Sequence, residues 1–326
     1  MKTISLCLLL VCGSVCAVCA ADVSVYALTK TRGYQQASPA APASLATGGF
    51  AFAGIVSPTT TSPASVTGAT LKLPSAVVKT CGPVPGFGPF AVVQAFDTQA
   101  LLDGTYADGS YLFTIAAVND GTKTPALTVN GDAYPNAPTV TNFTAAQSID
   151  WTQPFTLQWG GFAGGTGTDT IQLLITRKDG TTLFSTPQFP NAGALNGTAT
   201  SATIPAGTFV PGEPYTATLI FGKIVGANLT SYPGVPGVSA YASTTEFPMK
   251  APGTVPVLVI SSGGTPGSFD LTWNADIGRT YDLVWSPDLV GWTRLFLVTA
   301  SAATETQNDT PGTGVAKRFY RLQDPP

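Results

Sequence analysis

Histidine is absent from all 326 residues of the chain, and that removes most of the usual hydrolytic chemistry. Without imidazole there is no Ser-His-Asp or Cys-His nucleophile pair. There is also no His-ligated zinc and no facial triad of two His and one carboxylate. Of the five cysteines, Cys7, Cys12, Cys16 and Cys19 fall in an apolar leader, so Cys81 stands alone in the remainder. Thiolate metal sites and Cys-x-x-Cys redox chemistry go with them, and Cys81 is either a buried inert thiol or a link between molecules. Burial is the expectation. Carboxylate chemistry survives, because a glycosidase needs only two Asp or Glu residues flanking the sugar bond. Glu213 lies in a Pro-Gly-Glu-Pro turn, and the other Glu residues beyond the leader are Glu246 and Glu305. Asp103, Asp108, Asp120, Asp132 and Asp179 each adjoin Gly and read as turn formers. No catalytic residue, no cofactor-binding residue and no metal ligand is therefore assigned, and the chain is expected not to be an enzyme.

Two segments call for a closer reading. Asp103-Gly-Thr-Tyr-Ala-Asp108-Gly can bring two carboxylates to one calcium ion, but it lacks the Asp-x-Asp-x-Asp-Gly spacing of an EF-hand loop. Two successive hairpin turns explain it equally well. Ser286-Pro-Asp-Leu-Val-Gly-Trp292-Thr is similar to the Ser-x-Asp-Leu-x-x-Trp element of β-propeller glycosidases and, more loosely, to the Asp-box turn of sialidases. A propeller needs several blades of about 40 residues, and one copy is present. Asp288 is therefore expected to cap its own turn while Trp292 packs inward. Exposed rings offer a route to sugar binding, since a flat aromatic face stacks on a sugar. Trp159, Trp273, Trp285 and Trp292 lie on alternating strand faces and read as core. Trp151, Tyr26, Tyr34, Tyr232 and Tyr241 sit in contexts that favour exposure. Asn-x-Ser/Thr sites at Asn142, Asn196, Asn228 and Asn308 fit chance occurrence in a Thr-rich chain.

The elements that position these residues are strands. Charged residues make up 10% of the chain, against roughly 25% in ordinary soluble domains. Gly (35) and Pro (27) are abundant, which disfavours helix and suits short strands joined by tight turns. Strand-like runs begin at Val23, Phe90, Tyr111, Phe155, Ile171, Tyr215, Phe269, Tyr281, Trp292 and Arg318. Several alternate with period two, as in Phe155, Leu157, Trp159 and Phe269, Leu271, Trp273. The fold class expected is all-β, as tandem small β-sandwich modules. Their expected limits are 21–134, 135–250 and 254–326, with residues 35–70 left open as ordered or not. About 70 residues is small for an independent core, so the last module is expected to lean on its neighbour.

Residues 1–20 read as a signal peptide: Lys2, an apolar stretch from Ile4 to Val18, and small residues in Val18-Cys19-Ala20. The run is too short for a membrane anchor. A secreted or cell-surface location is thus expected, with no later membrane-spanning segment. The formal net charge of −3 gives no steering toward nucleic acid.

Phe269-Asp-Leu-Thr-Trp, the run from Gly278 to Thr293 and Arg318-Phe-Tyr-Arg-Leu resemble a short β module. It recurs at the C-termini of exported proteins from the Verrucomicrobia and related bacteria. The middle segment, through Ile204-Pro-Ala-Gly-Thr-Phe-Val-Pro-Gly-Glu-Pro-Tyr, is similar to an immunoglobulin-like or fibronectin type III-like sandwich. Together these cover about 190 residues. The resemblance implies a surface-protein repertoire and carries no catalytic residue across. The function expected is a structural or adhesive protein of the cell surface or matrix. The alternatives are a carbohydrate-binding accessory protein and, last, a carboxylate glycoside hydrolase. Polysaccharide, other matrix proteins and self-association are the partners considered.

Overall fold

A computed structural model describes residues 21–60, 64–188, 191–312 and 317–325; the leader expected at residues 1–20 lies outside them. The chain is all-β in sandwich-like sheets. It divides into two compact units, one of residues up to 143, 157–202 and 216–248, the other of 144–156, 203–215 and 249 onward.

The first unit is organised by Val23–Gln35. This strand pairs parallel with Gly237–Lys250, from Tyr26 opposite Gly237 to Gln35 opposite Glu246, and antiparallel with Phe50–Pro58. A ten-stranded sheet extends on both sides, through Pro214–Asn228 and Thr170–Arg177 on one and Gly88–Phe96 on the other. It therefore runs across the module joint expected near Tyr134. Nothing in the local sequence marks that pairing. Gly237–Lys250 is covered on both faces, so its small and polar residues, such as Ser239, Ser243 and Thr245, are buried without the alternation that betrays a half-exposed strand.

A second sheet, ordered Ala126–Val129, Gly109–Ala117, Val66–Lys72, Val78–Thr80, packs its apolar face against this one. Here the alternation is plain: Tyr111, Phe113 and Ile115 are buried between more exposed neighbours. Tyr26 meets Phe113 edge-on at 5.7 Å, and Phe52 stacks on Tyr106 at 3.9 Å. The first of the two turns expected in Asp103–Gly109, at Asp103-Gly104, is instead part of a short helix, Gln99–Thr105. Thr98 caps it by accepting from the Leu101 N–H, and Leu102 anchors it in the core. Of the region 35–70, Ala43–Ser44 pairs with Tyr34 and Gln35, and Phe50–Pro58 is a central strand.

Gly237 has no room for a side chain, because a Cβ there would overlap the Tyr26 ring. Tyr26 is fully buried and its hydroxyl donates to the Asn228 carbonyl, so it has nowhere to move. Gly237→Ala is expected to lower unfolding free energy by about 1–3 kcal/mol, the cost of overpacking. The double variant with Tyr26→Leu should recover part of that loss in a urea titration.

The second unit is a miniature sandwich of two three-stranded sheets. One is Leu258–Ser262, Phe269–Asn274, Thr304–Asp309; the other is Thr293–Thr299, Thr280–Ser286, Phe319–Gln323. Leu271, Trp273, Tyr281 and Leu283 form its core. The unit is larger than the expected module 254–326, since earlier segments join it. Ile149 N–H donates to Lys250 O, Gly207 N–H to Trp151 O and Gly212 N–H to Ala251 O. Two tyrosines brace it in the same way. Tyr215 Oη accepts from the Val210 N–H at 2.7 Å, and Tyr281 Oη from the Asp276 N–H at 2.8 Å. In each case a glycine three residues before the tyrosine, Gly212 or Gly278, takes a positive φ. This is the tyrosine-corner device of immunoglobulin-type sandwiches. Tyr281→Phe leaves the Asp276 N–H without its acceptor, and an unfolding titration is expected to show a loss of about 1–2 kcal/mol.

Candidate functional site

Among the described residues, a cluster of titratable groups surrounds Lys30. Along Val23–Gln35 the side chains of Tyr26, Leu28 and Lys30 share one face, so the lysine stands where a core residue belongs. Phe52 and Tyr241 are its cross-strand neighbours, and its side chain is fully enclosed. A charge so placed requires counter-charges. Nζ lies 2.7 Å from Asp103 Oδ1 and 2.8 Å from Asp108 Oδ1. Asp103 comes from the helix Gln99–Thr105, and Asp108 directly precedes the strand Gly109–Ala117. Tyr241 Oη donates to Asp108 Oδ1 at 3.0 Å and the Gly131 N–H to Asp108 Oδ2 at 2.6 Å. Asp132 follows in the Asn130-Gly131-Asp132 turn, both Gly131 and Asp132 at positive φ. Asp103, Asp108 and Asp132 offer oxygens that all lie within 4.8 Å of one another.

The carboxyls differ electrostatically. Burial raises Asp108, but the bonds from Lys30, the Gly131 N–H and Tyr241 outweigh it and hold the group below the ordinary carboxylate range. Asp132 is pushed up by desolvation and then by the negative charges of Asp103 and Asp108. Burial, with Asp103 and Asp132 nearby, also drives the Tyr134 phenol upward, and its ring meets Tyr241 edge-on at 4.8 Å.

The calcium reading of Asp103 and Asp108 is thus half met. The two are brought together, with Asp132, but what they face is the Lys30 ammonium. A resident divalent cation would contend with a fixed positive charge already bonded to both. The two-hairpin alternative also falls, since Asp103 is helical. Lys30 is not singled out by the sequence, and Tyr241 is read there only as an exposed ring rather than as a partner of these carboxylates. The available signal was a lysine in phase with Tyr26 and Leu28 on an apolar strand.

Asp108 and Asp282 give a pH prediction. The Arg294 guanidinium holds the buried Asp282 carboxyl below its ordinary value, against partial desolvation. A folded-state pKa below the unfolded one contributes stability that is full above the unfolded value and is lost as pH falls through the folded value. The melting temperature is expected to be flat from neutrality to about pH 5 and to fall below about pH 4. Asp282→Asn should flatten part of that fall.

The aromatic expectations divide. Tyr26, Tyr232 and Tyr241, expected at the surface, are buried, because each lies on a strand or loop enclosed between sheets. Trp159 and Trp273 are core. Trp285 and Trp292 are half-buried, and guanidinium groups cover them: Arg318 lies 4.3 Å from the Trp285 ring centre and Arg321 4.1 Å from that of Trp292. Those faces are closed to a sugar. Asp288 caps its own turn as expected, accepting from the Val290 and Gly291 N–H groups. Leu289 takes φ +67 there. Leu289→Gly should therefore raise stability by about 1 kcal/mol, measurable in a thermal melt. Cys81 is buried and its thiol is pushed up to about 11, which keeps it protonated and unreactive. The sequon asparagines are engaged in local bonds: Asn142 Oδ1 accepts from Gln158, Asn196 and Asn228 from residues that follow them, and Asn308 donates to Asp270.

A separate groove of about 560 Å³ lies in the first unit, lined by Thr128, Asn130, Asn228, Thr230 and Ser239 with apolar neighbours. It contains hydrogen-bonding groups and no titratable side chain.

No family model and no curated protein matches the chain. Among solved structures it is similar to the FN1–FN3 domains of chicken CNTN1, with 11% identity, coverage of 84% of this chain and 94% of that one, and a TM-score of 0.21. It is also similar to Escherichia coli alpha-2-macroglobulin activated by porcine elastase, with 9% identity, 90% and 28% coverage, and a TM-score of 0.24. A Salmonella alpha-2-macroglobulin variant gives 9% identity, 94% and 21% coverage, and a TM-score of 0.21. The all-β class rests on the chain's own strands.

Proposed function

We propose that this chain is an exported, non-catalytic structural or adhesive protein of the cell surface or extracellular matrix. The observation that carries the reading is how its carboxylates are engaged. Asp22 accepts from the Asn119 and Asp120 N–H groups. Asp169 holds Lys223 and Thr166, and Asp282 holds Arg294. Asp309 takes Arg318 and Tyr320, and Glu305 caps Ser301 and Ala302. Each of these fixes a loop or a strand pair. A carboxylate hydrolase requires two such groups free to face a bound sugar across an open cleft. Export rests on the leader read at residues 1–20, and no helix of the described residues is long and apolar enough to cross a membrane. The experiment is retention of the purified protein on cells, on matrix polymer and on immobilised copies of itself. Retention on any of the three supports the reading; absence on all three, or release of reducing sugar from a polysaccharide panel, defeats it.

A second reading has one observation in its favour. The Thr128–Asn130–Thr230 groove presents amide and hydroxyl groups suited to a neutral polyhydroxyl ligand. Polysaccharide retention that survives Asn130→Ala would dismiss the groove as its basis.

A further inference from the structure

Lys30 and Asp103 satisfy more than the conditions of an ion pair, and we propose that Lys30 Nζ and the Asp103 carboxyl condense into a side-chain amide, an intramolecular crosslink made without any cofactor. The inference is independent of the surface role proposed above. In water, an ammonium and a carboxylate do not condense, because both are solvated as ions and neither is held against the other. Here the lysine side chain is fully enclosed between Phe52 and Tyr241, and Nζ is fixed 2.7 Å from an oxygen of the Asp103 carboxyl. Holding the two groups side by side in one geometry raises their effective concentration far above that of free reactants. Asp103 is about one-third exposed, with a side-chain accessibility of 32%, which leaves an exit for the water formed.

The two remaining carboxyls fill complementary roles. Asp108, anchored by Tyr241 and the Gly131 N–H and 2.8 Å from Nζ, starts as a carboxylate and accepts one proton from the ammonium. The free amine then attacks Asp103 Cγ. Asp132, whose affinity for a proton is raised by desolvation and by the charges of Asp103 and Asp108, carries a proton to an Asp103 oxygen as the C–N bond forms and takes one back from the nitrogen. Asp108 returns its proton to the departing oxygen, the C–O bond breaks, and water leaves. Ammonium plus carboxylate gives amide plus one water; nothing is oxidised or reduced, and Asp108 and Asp132 end as they began.

The bond would join residues 73 apart in sequence. It would tie the central strand of the ten-stranded sheet to the helix that leads into the opposing sheet. Beyond the leader the chain has one cysteine, so no internal disulfide can serve that purpose.

The test is intact-mass spectrometry of the denatured, full-length purified protein, followed by tryptic mapping. The wild type is expected to be lighter than its sequence by one water. Cleavage after Lys30 should be missing, and a branched peptide should join the Lys30 and Asp103 segments. Lys30→Arg and Asp103→Ala should each run at full sequence mass. Asp132→Asn, which tolerates the positive φ, should leave at least a tenfold larger uncrosslinked fraction early after synthesis. A wild-type chain at full sequence mass overturns the proposal. So does a one-water deficit without the branched peptide, or a branch that maps to Asp108.

Discussion

Replacing Trp273 by alanine is expected to unfold the C-terminal unit while leaving the first unit folded. The indole is 1% exposed and meets Tyr281 edge-on at 6.0 Å, in a core whose other buried members include only Leu271 and Leu283 among large aliphatic residues. Truncating a buried Trp costs about 3–5 kcal/mol. With so few large side chains in the core, that is a large share of the roughly 5–15 kcal/mol by which native domains are stable. Hydrogen exchange reports the outcome directly: Phe269–Asn274 and Thr280–Ser286 should lose protection, while Val23–Gln35 and Gly237–Lys250 keep theirs. Trp273→Phe is the informative control. Nε1 of Trp273 finds no hydrogen-bond partner among the described residues, so phenylalanine retains ring packing and removes a buried unpaired donor. It should cost far less than alanine.

The second large effect is expected at Lys30. Lys30→Met keeps most of the buried stem but leaves Asp103, Asp108 and Asp132 facing one another without a cation. Breaking a fully buried charged pair by removing one partner costs about 3–5 kcal/mol. Asp103 and Asp108 retain 32% and 36% side-chain exposure, so solvent screens part of the repulsion. A loss of about 2–4 kcal/mol follows for the electrostatic part, roughly 5–15 °C in melting temperature for a unit of this length. In a crosslinked chain the amide replaces the Lys30–Asp103 ion pair, and loss of the crosslink then takes the place of that pair's electrostatic contribution. Lys30→Met combined with Asp103→Asn and Asp108→Asn should regain much of the electrostatic part, because the uncompensated charge is then gone. If Lys30→Met melts with the wild type, the cluster has no structural role.

How much was legible in the sequence depends on whether a feature is local. Strands exposed on one face announce themselves: Tyr111, Phe113 and Ile115 alternate, as do Phe269, Leu271 and Trp273, and these appear close to where expected. Gly237–Lys250 did not, because a strand buried on both faces has no alternation, and its parallel partner lies some two hundred residues away. The short helix was hidden by Asp103-Gly104, which has the composition of a turn; the Thr98 cap and the Leu102 anchor decide otherwise. The site shows the same division. Asp103 and Asp108 were visible as a possible pair from their spacing. Their true counter-ion was not, because Lys30 reaches them only through the sheet pairing that sets Val23–Gln35 beneath the helix. Tyr232 and Tyr241 looked like surface rings beside Gly, Pro and Ser, but enclosure depends on the second sheet, which no local context reports.

The central claim is that the Lys30 side chain, not a metal ion, satisfies the Asp103–Asp108–Asp132 cluster. Calcium titration by calorimetry, on the wild type and on Lys30→Met, tests it most directly. The wild type is expected to give no saturable heat up to millimolar calcium, while the variant, with three carboxylates and no ammonium, binds calcium and is stabilised by it. Stoichiometric calcium binding by the wild type, abolished by Asp108→Asn, would contradict the claim.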